Sequence, residues 1–159
     1  CPCGYYTDKR RECHCTPHQI QSYMSKVSGP LLDRMDIQVE APAVRYNELV
    51  AEREAQSSAD IRKKVMVARE MQKERFKDQP TGTNAHMSSR QVKKYCVMDK
   101  DTEALLYQAM TELGLSARGH SKILKVGRTI ADLDESEHIK IEHISEAIQY
   151  RSLDRGLWK

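Results

Sequence analysis

Apolar residues recur at helical spacing in five stretches of this chain and alternate in only one. Ile20, Tyr23, Met24 and Val27 form the first repeat, behind Thr16-Pro17, a cap hydroxyl followed by a proline at the first helical position. This predicts a helix that stops before Gly29-Pro30, a pair that fixes a turn. From Asp36 to Glu40, Ile37 and Val39 alternate with polar neighbours, which predicts a short strand ended by Pro42. A lone strand needs a partner, so it is expected to pair with strands upstream or to stand irregular.

Beyond a connector over Val44 to Ser57, every repeat is helical. Ser57-Ser58 caps a helix to about Phe76, with Asp60 in its first turn, Ile61, Val65, Ala68, Gln72 and Phe76 on one face and basic residues on the others. A loop over Lys77 to Ser89 leads to a short helix near Ser89 to Tyr95. Asp99 caps the next, which carries Leu105, Leu106, Ala109, Met110 and Leu113 and ends at Gly114. Ser116 caps another, with Ile123, Leu124, Val126, Ile130, Ala131 and Leu133 as apolar positions. After a polar break over Asp134 to His138, Ile141, Ile144, Ala147, Ile148 and Tyr150 mark the last helix, and Arg151 to Lys159 is expected to fray. The expected fold is mainly α: a bundle of four or five helices, preceded by a Cys-rich loop, one helix and a short strand.

Composition agrees with this picture without adding a function. The chain has 159 residues, of which 39% are apolar, with one Trp and one Phe, so Leu, Ile, Val, Met and Ala must build the core. A formal charge of +3 is too small to point to nucleic acid by itself. No apolar run reaches the roughly 20 residues that span a bilayer, and no secretory leader opens the chain, so a cytoplasmic protein without membrane partners is expected. The chain starts at Cys1 inside a dense motif, which leads us to expect a piece of a longer polypeptide.

Two groups of residues carry candidate chemistry. Cys1, Cys3, Cys13 and Cys15 form a Cys-x-Cys, nine-residue gap, Cys-x-Cys array. Four thiolates so placed suit one zinc at Zn–S distances near 2.3 Å, although the pairs are tighter than the usual Cys-x₂₋₄-Cys. His14 and His18 are spare ligands, and reduced thiols or disulfides are the alternatives. Cys96, without a sequence partner, reads as a small core residue. The second group is Ser28-Gly29-Pro30-Leu31-Leu32-Asp33-Arg34-Met35-Asp36, which aims Arg34 at the mouth of a strand between two carboxylates able to orient its planar fork. That placement suits an arginine meant for another subunit's phosphate; otherwise it is a surface arginine paired with Asp33 or Asp36.

The Cys-Pro-Cys-Gly loop with its second Cys-x-Cys, the Ser28 to Asp36 segment, and Leu115-Ser116-Ala117-Arg118-Gly119 running through Arg128-Thr129-Ile130-Ala131-Asp132-Leu133 occur here in one order, and Glu146 to Arg155 adds a fourth match. In that order they resemble the magnesium-chelatase-like branch of the AAA+ ATPases, in particular its ComM-like group, over nearly the whole chain. The resemblance implies that residues 1–43 end the ATPase core and 44–159 form the helical lid. It implies that Arg34 is an arginine finger acting in trans, that Arg118 is the sensor-2 arginine touching nucleotide bound in its own subunit, and that ATP and magnesium serve the full-length protein. It further implies a homo-oligomeric, hexameric ring acting on DNA in recombination or competence. Such fingers contribute about 10³ to 10⁵ in rate in related chemistries. Lys122, Lys125 and Arg128 follow Arg118 at about helical spacing and are expected to face solvent or phosphate.

No Gly-x₄-Gly-Lys-Ser/Thr and no magnesium-holding acidic run occur in the chain, so the isolated segment is expected to be monomeric and inactive. A different class of function remains open from the residues alone. It is a zinc-bearing helical module that binds nucleic acid or protein through its Cys knuckle, or a lid that serves only in oligomerisation.

Overall fold

The longest apolar stripe of the chain lies on the helix that Ser116 starts, and the other elements are arranged around it. The computed structural model describes residues 1–8, 10–41, 44, 46 and 56–151. Among these the helices are α1 (Pro17–Met24), α2 (Gly29–Leu32), α3 (Ser58–Arg75), α4 (Ser89–Tyr95), α5 (Lys100–Leu113), α6 (Ala117–Leu133) and α7 (Ile141–Gln149), with a 3₁₀ turn at Asn84–His86. α6 packs against α3, α4, the 3₁₀ turn and α7, and α5 packs on α7. Ile123, Leu124, Ile130 and Ala131 of α6 meet Phe76, Met87, Val92, Cys96, Leu106, Ile139, Ile144 and Ala147 in one core. Gly127 permits the close crossing of α6 and α7, since a Cβ there would stand 2.8 Å from Ile144 Cδ1.

The helix starts are local events and fall where side-chain chemistry puts them. Thr16 forms a reciprocal box with Gln19, Ser57 accepts from Asp60 N, Asp99 from Thr102 N and Ser116 from Gly119 N. Gly114 ends α5 at φ +61°, the left-handed conformation that favours glycine. No helix among the described residues is long and apolar enough to cross a membrane.

Four expectations are corrected. Residues 36–40 form no strand, and Ile37 and Val39 are 53% and 69% exposed; one backbone bond, Gln38 N to Tyr150 O at 2.9 Å, replaces a ladder, for which the described residues supply no partner strand. Gly29-Pro30 opens a four-residue helix rather than a bare turn. The apolar face of α3 is buried only from Ala68 on, because Ile61 and Val65 stand exposed on turns that no other described element covers. Arg151 does not fray but is 1% exposed, following Ile144 and Ala147 on the inward side of α7. The connector expected over 44–57 and the tail over 152–159 lie largely outside the described residues.

Candidate functional site

The short helix α2 presents residues 33–36 to the start of α6 and the end of α7. Leu32, buried, anchors it, and the turn continues through Arg34 N to Leu31 O and Met35 N to Leu32 O. Asp33 is drawn to the bundle: its Oδ1 accepts from Ser116 Oγ at 2.8 Å and lies 3.6 Å from Arg151 Nη2, and its Oδ2 lies 3.8 Å from Arg118 Nη1. Asp36 Oδ1 lies 2.7 Å from Lys122 Nζ, which also donates to the Arg34 carbonyl. Arg151 Nη1 donates to the Met35 carbonyl.

Arg34 itself pairs with neither neighbouring carboxylate. The expectation that Asp33 and Asp36 orient its fork is overturned, because both carboxylates are committed to cations of the bundle. Among the described residues, the exposed Arg34 guanidinium keeps only a 3.5 Å bond to Pro30 O. This leaves its planar fork available to a bidentate anion such as phosphate.

Arg118 sits on the first turn of α6, where a cation gains nothing from the helix dipole. Its side chain is 56% exposed, and its pairing with Asp33 at 3.8 Å is the weak, solvated kind. The basic row behind it was expected to face solvent or phosphate, and the structure corrects this for Arg128. Lys122 is held by Asp36, and Lys125 donates to Ala85 O at 2.9 Å. Arg128 is buried, bonding Asp132 Oδ1 at 3.1 Å, Glu137 O at 2.8 Å and Ser136 O at 2.5 Å. Its tip thereby satisfies the polar break between α6 and α7. Arg118, Lys122 and Lys125 line one wall of a groove opposite Asp36, Ile37 and Val39, with Arg118 its most exposed cation.

The four N-terminal cysteines converge. Turns at Gly4 N to Cys1 O and Asp8 N to Tyr5 O, with Gly4 at φ +84°, fold the first pair back toward the second. Cys1 Sγ and Cys3 Sγ are 3.4 Å apart, Cys3 and Cys13 3.6 Å, Cys13 and Cys1 3.7 Å, and all four sulfurs lie within 4.8 Å of one another. Thiolates on a tetrahedron of radius about 2.3 Å would be about 3.8 Å apart, close to the spacing of Cys1, Cys3 and Cys13, so the donor set could hold one zinc. A backbone N–H at Tyr5 holds the Cys3 thiol below its ordinary value, which favours the metal-binding thiolate. The spare ligands His14 and His18 are exposed and not part of the cluster. Cys96, by contrast, is buried with its Sγ 3.6 Å from Leu124 O, the core role expected of it.

Reading the sequence alone missed Lys122 and Arg151 as partners of residues 33–36. The signal for Arg151 was its helical phase behind Ile144 and Ala147; for Lys122 there was none beyond basic spacing.

A bundle of this kind, joined to an exposed arginine and a four-cysteine loop, has known relatives. Residues 55–151 match the family described as magnesium chelatase, subunit ChlI C-terminal, and residues 1–49 match that described as magnesium chelatase, subunit ChlI. The chain belongs to the magnesium chelatase ChlI family and corresponds to the C-terminal region of ChlI-type AAA+ proteins. It is 38% identical to the uncharacterized protein YifB of Salmonella typhimurium over 98% of its length, and 37% identical to competence protein ComM of Haemophilus influenzae over 99%. Uncharacterized protein Rv2897c of Mycobacterium tuberculosis is 28% identical over 95% of the chain. The chain spans 30% of the first two relatives and 29% of the third.

Proposed function

We propose that the chain is the lid-bearing end of an ATP-driven ring motor, in which Arg34 reaches the nucleotide of the neighbouring subunit and Arg118 the nucleotide of its own. Residues 1–43 then close the ATPase core and 44–159 form the lid. The observation that carries this reading is the state of Arg34: a guanidinium exposed on a pinned turn, with both flanking carboxylates paired to other cations. A finger must keep its fork open for phosphoryl oxygens that another subunit supplies, and its rigid turn spares the cost of ordering it at the moment of reaction.

In the full-length protein ATP and magnesium occupy the site built upstream, and this segment contributes two cations to the charge that develops during phosphoryl transfer. The 37% identity to competence protein ComM favours DNA as the material on which a homohexameric ring works. Zinc at Cys1, Cys3, Cys13 and Cys15 acts structurally, since four protein ligands leave no open position. Arg34→Ala in the full-length protein is expected to abolish ATP hydrolysis while nucleotide binding persists; unchanged turnover overturns the reading.

The cysteine loop lies outside the hydrophobic core, and that separation supports a second reading, a zinc-bearing interaction module without an ATPase role. Salt-dependent DNA binding by the segment alone, together with normal turnover of Arg34→Ala, would favour it.

A further inference from the structure

Resting on the finger reading of Arg34, we infer that Lys122 and Arg151 are positioning residues, which fix the turn carrying Arg34 by gripping it from both sides. The contacts interleave. Arg151 takes the Asp33 carboxylate at 3.6 Å and the Met35 carbonyl, while Lys122 takes the Arg34 carbonyl and the Asp36 carboxylate at 2.7 Å. Each cation therefore holds one carboxylate and one peptide oxygen, and four consecutive residues are held in alternation. The Arg34 backbone is locked at its own carbonyl while its side chain is left exposed.

The burial of the two cations suits this role. The Lys122 and Arg151 side chains are 14% and 1% exposed, so both cations are fixed by packing before they meet the turn, whereas Arg118 is 56% exposed; the Asp36 end of the Lys122 pair, 70% exposed, is solvated. Lys122 lies on α6 and Arg151 just beyond the Tyr150 cap of α7, the two helices at the centre of the lid. A turn tied to both follows the lid as a rigid body, so the trans finger is placed by the same element that bears Arg118 for the subunit's own nucleotide. Gln38 N to Tyr150 O at 2.9 Å adds a further tie at the end of the segment.

The test is steady-state ATP hydrolysis by the full-length protein, with nucleotide affinity measured separately on a fluorescent ATP analogue. A displacement of about 1 Å in a reacting group costs about 10²-fold, so Lys122→Met is expected to lower kcat by about ten- to a hundredfold with KM and nucleotide affinity unchanged. Lys122→Arg, which keeps a cation at the same reach, is expected to restore most of the turnover. Asp36→Asn, which leaves Lys122 in place, is expected to lower kcat in the same sense and serves if Lys122→Met melts early. Arg34→Ala is run in parallel. If Arg34→Ala is inactive while Lys122→Met and Asp36→Asn both turn over normally, the positioning role is overturned and the finger stands. If Arg34→Ala turns over normally, the finger reading falls and this role with it.

Discussion

Arg75, the last residue of α3, and Asp132, near the end of α6, meet in a bidentate pair with contacts of 2.7 and 2.5 Å, and the carboxylate is wholly buried. Asn84 Nδ2 at 2.7 Å and Arg128 Nε at 3.1 Å complete the coordination of Asp132. One carboxylate thus ties α3, the 3₁₀ turn and α6. Two arginines converge on it, and removing it leaves both without their counter-charge in a low-dielectric setting. Asp132→Ala is expected to lose about 3 to 5 kcal/mol of stability, measured by urea denaturation of the chain; a loss below about 1 kcal/mol would mean that the network contributes no more than a surface pair.

That network shows where reading the sequence stops. Thr16, Ser57, Asp99, Ser116 and Gly114 were legible because a cap is decided by residues within one turn of it. Arg128 and Asp132 lie one turn apart on a helix, a spacing that also describes an ordinary solvated pair, and only Arg75 and Asn84 arriving from distant positions make them buried. The strand failed for a related reason: alternation at Ile37 and Val39 reports a strand's faces but not whether a partner strand lies beside it. At the site, the cysteine array and Arg34 could be found because their chemistry is local, whereas the grip of Lys122 and Arg151 spans most of the chain.

Burial pushes the Cys96 thiol up to about 11 from an ordinary value of 9.0. Well below pH 9 the thiol is neutral in folded and unfolded chains alike and contributes no pH dependence. As pH climbs from about 9 toward 11 the unfolded chain ionises first and binds fewer protons, so stability falls, by at most about 1.4 kcal/mol per pH unit for one proton. Cys96→Ala is expected to be less stable at pH 7 but to show a shallower decline across that window. Equal slopes for the two proteins, in paired denaturation series, would place the ionising group elsewhere.

The N-terminal cysteines are predicted to bind one zinc per chain and to do so without supporting the bundle, since none of them belongs to its core. Stripping the metal with a chelator is expected to expose four fast-reacting thiols at pH 8, the fifth, Cys96, reacting only on unfolding. The main thermal transition should move little. Cys3→Ser is expected to weaken zinc binding by orders of magnitude, because a neutral hydroxyl replaces a thiolate ligand. Absence of zinc from protein purified without chelator, by elemental analysis, would remove the metal from the account.

Ser116 is asked to do two things with one hydroxyl. Its oxygen accepts from Gly119 N at 3.0 Å, capping α6, and its proton goes to Asp33 Oδ1 at 2.8 Å, joining the turn of residues 33–36 to the helix start. A hydroxyl has one proton to give and lone pairs to spare, so the two bonds are compatible and lost together on truncation. Ser116→Ala is expected to cost about 1 to 2 kcal/mol, the upper part of the range for a helix cap, because Asp33 also loses a donor. Ser116→Thr keeps both functions and should lie within about 0.5 kcal/mol of the parent, a cap threonine being only slightly inferior. Denaturant midpoints for the three proteins decide the matter: if Ser116→Ala is no less stable than Ser116→Thr, the hydroxyl neither caps the lid's central helix nor holds the turn of Arg34 against it.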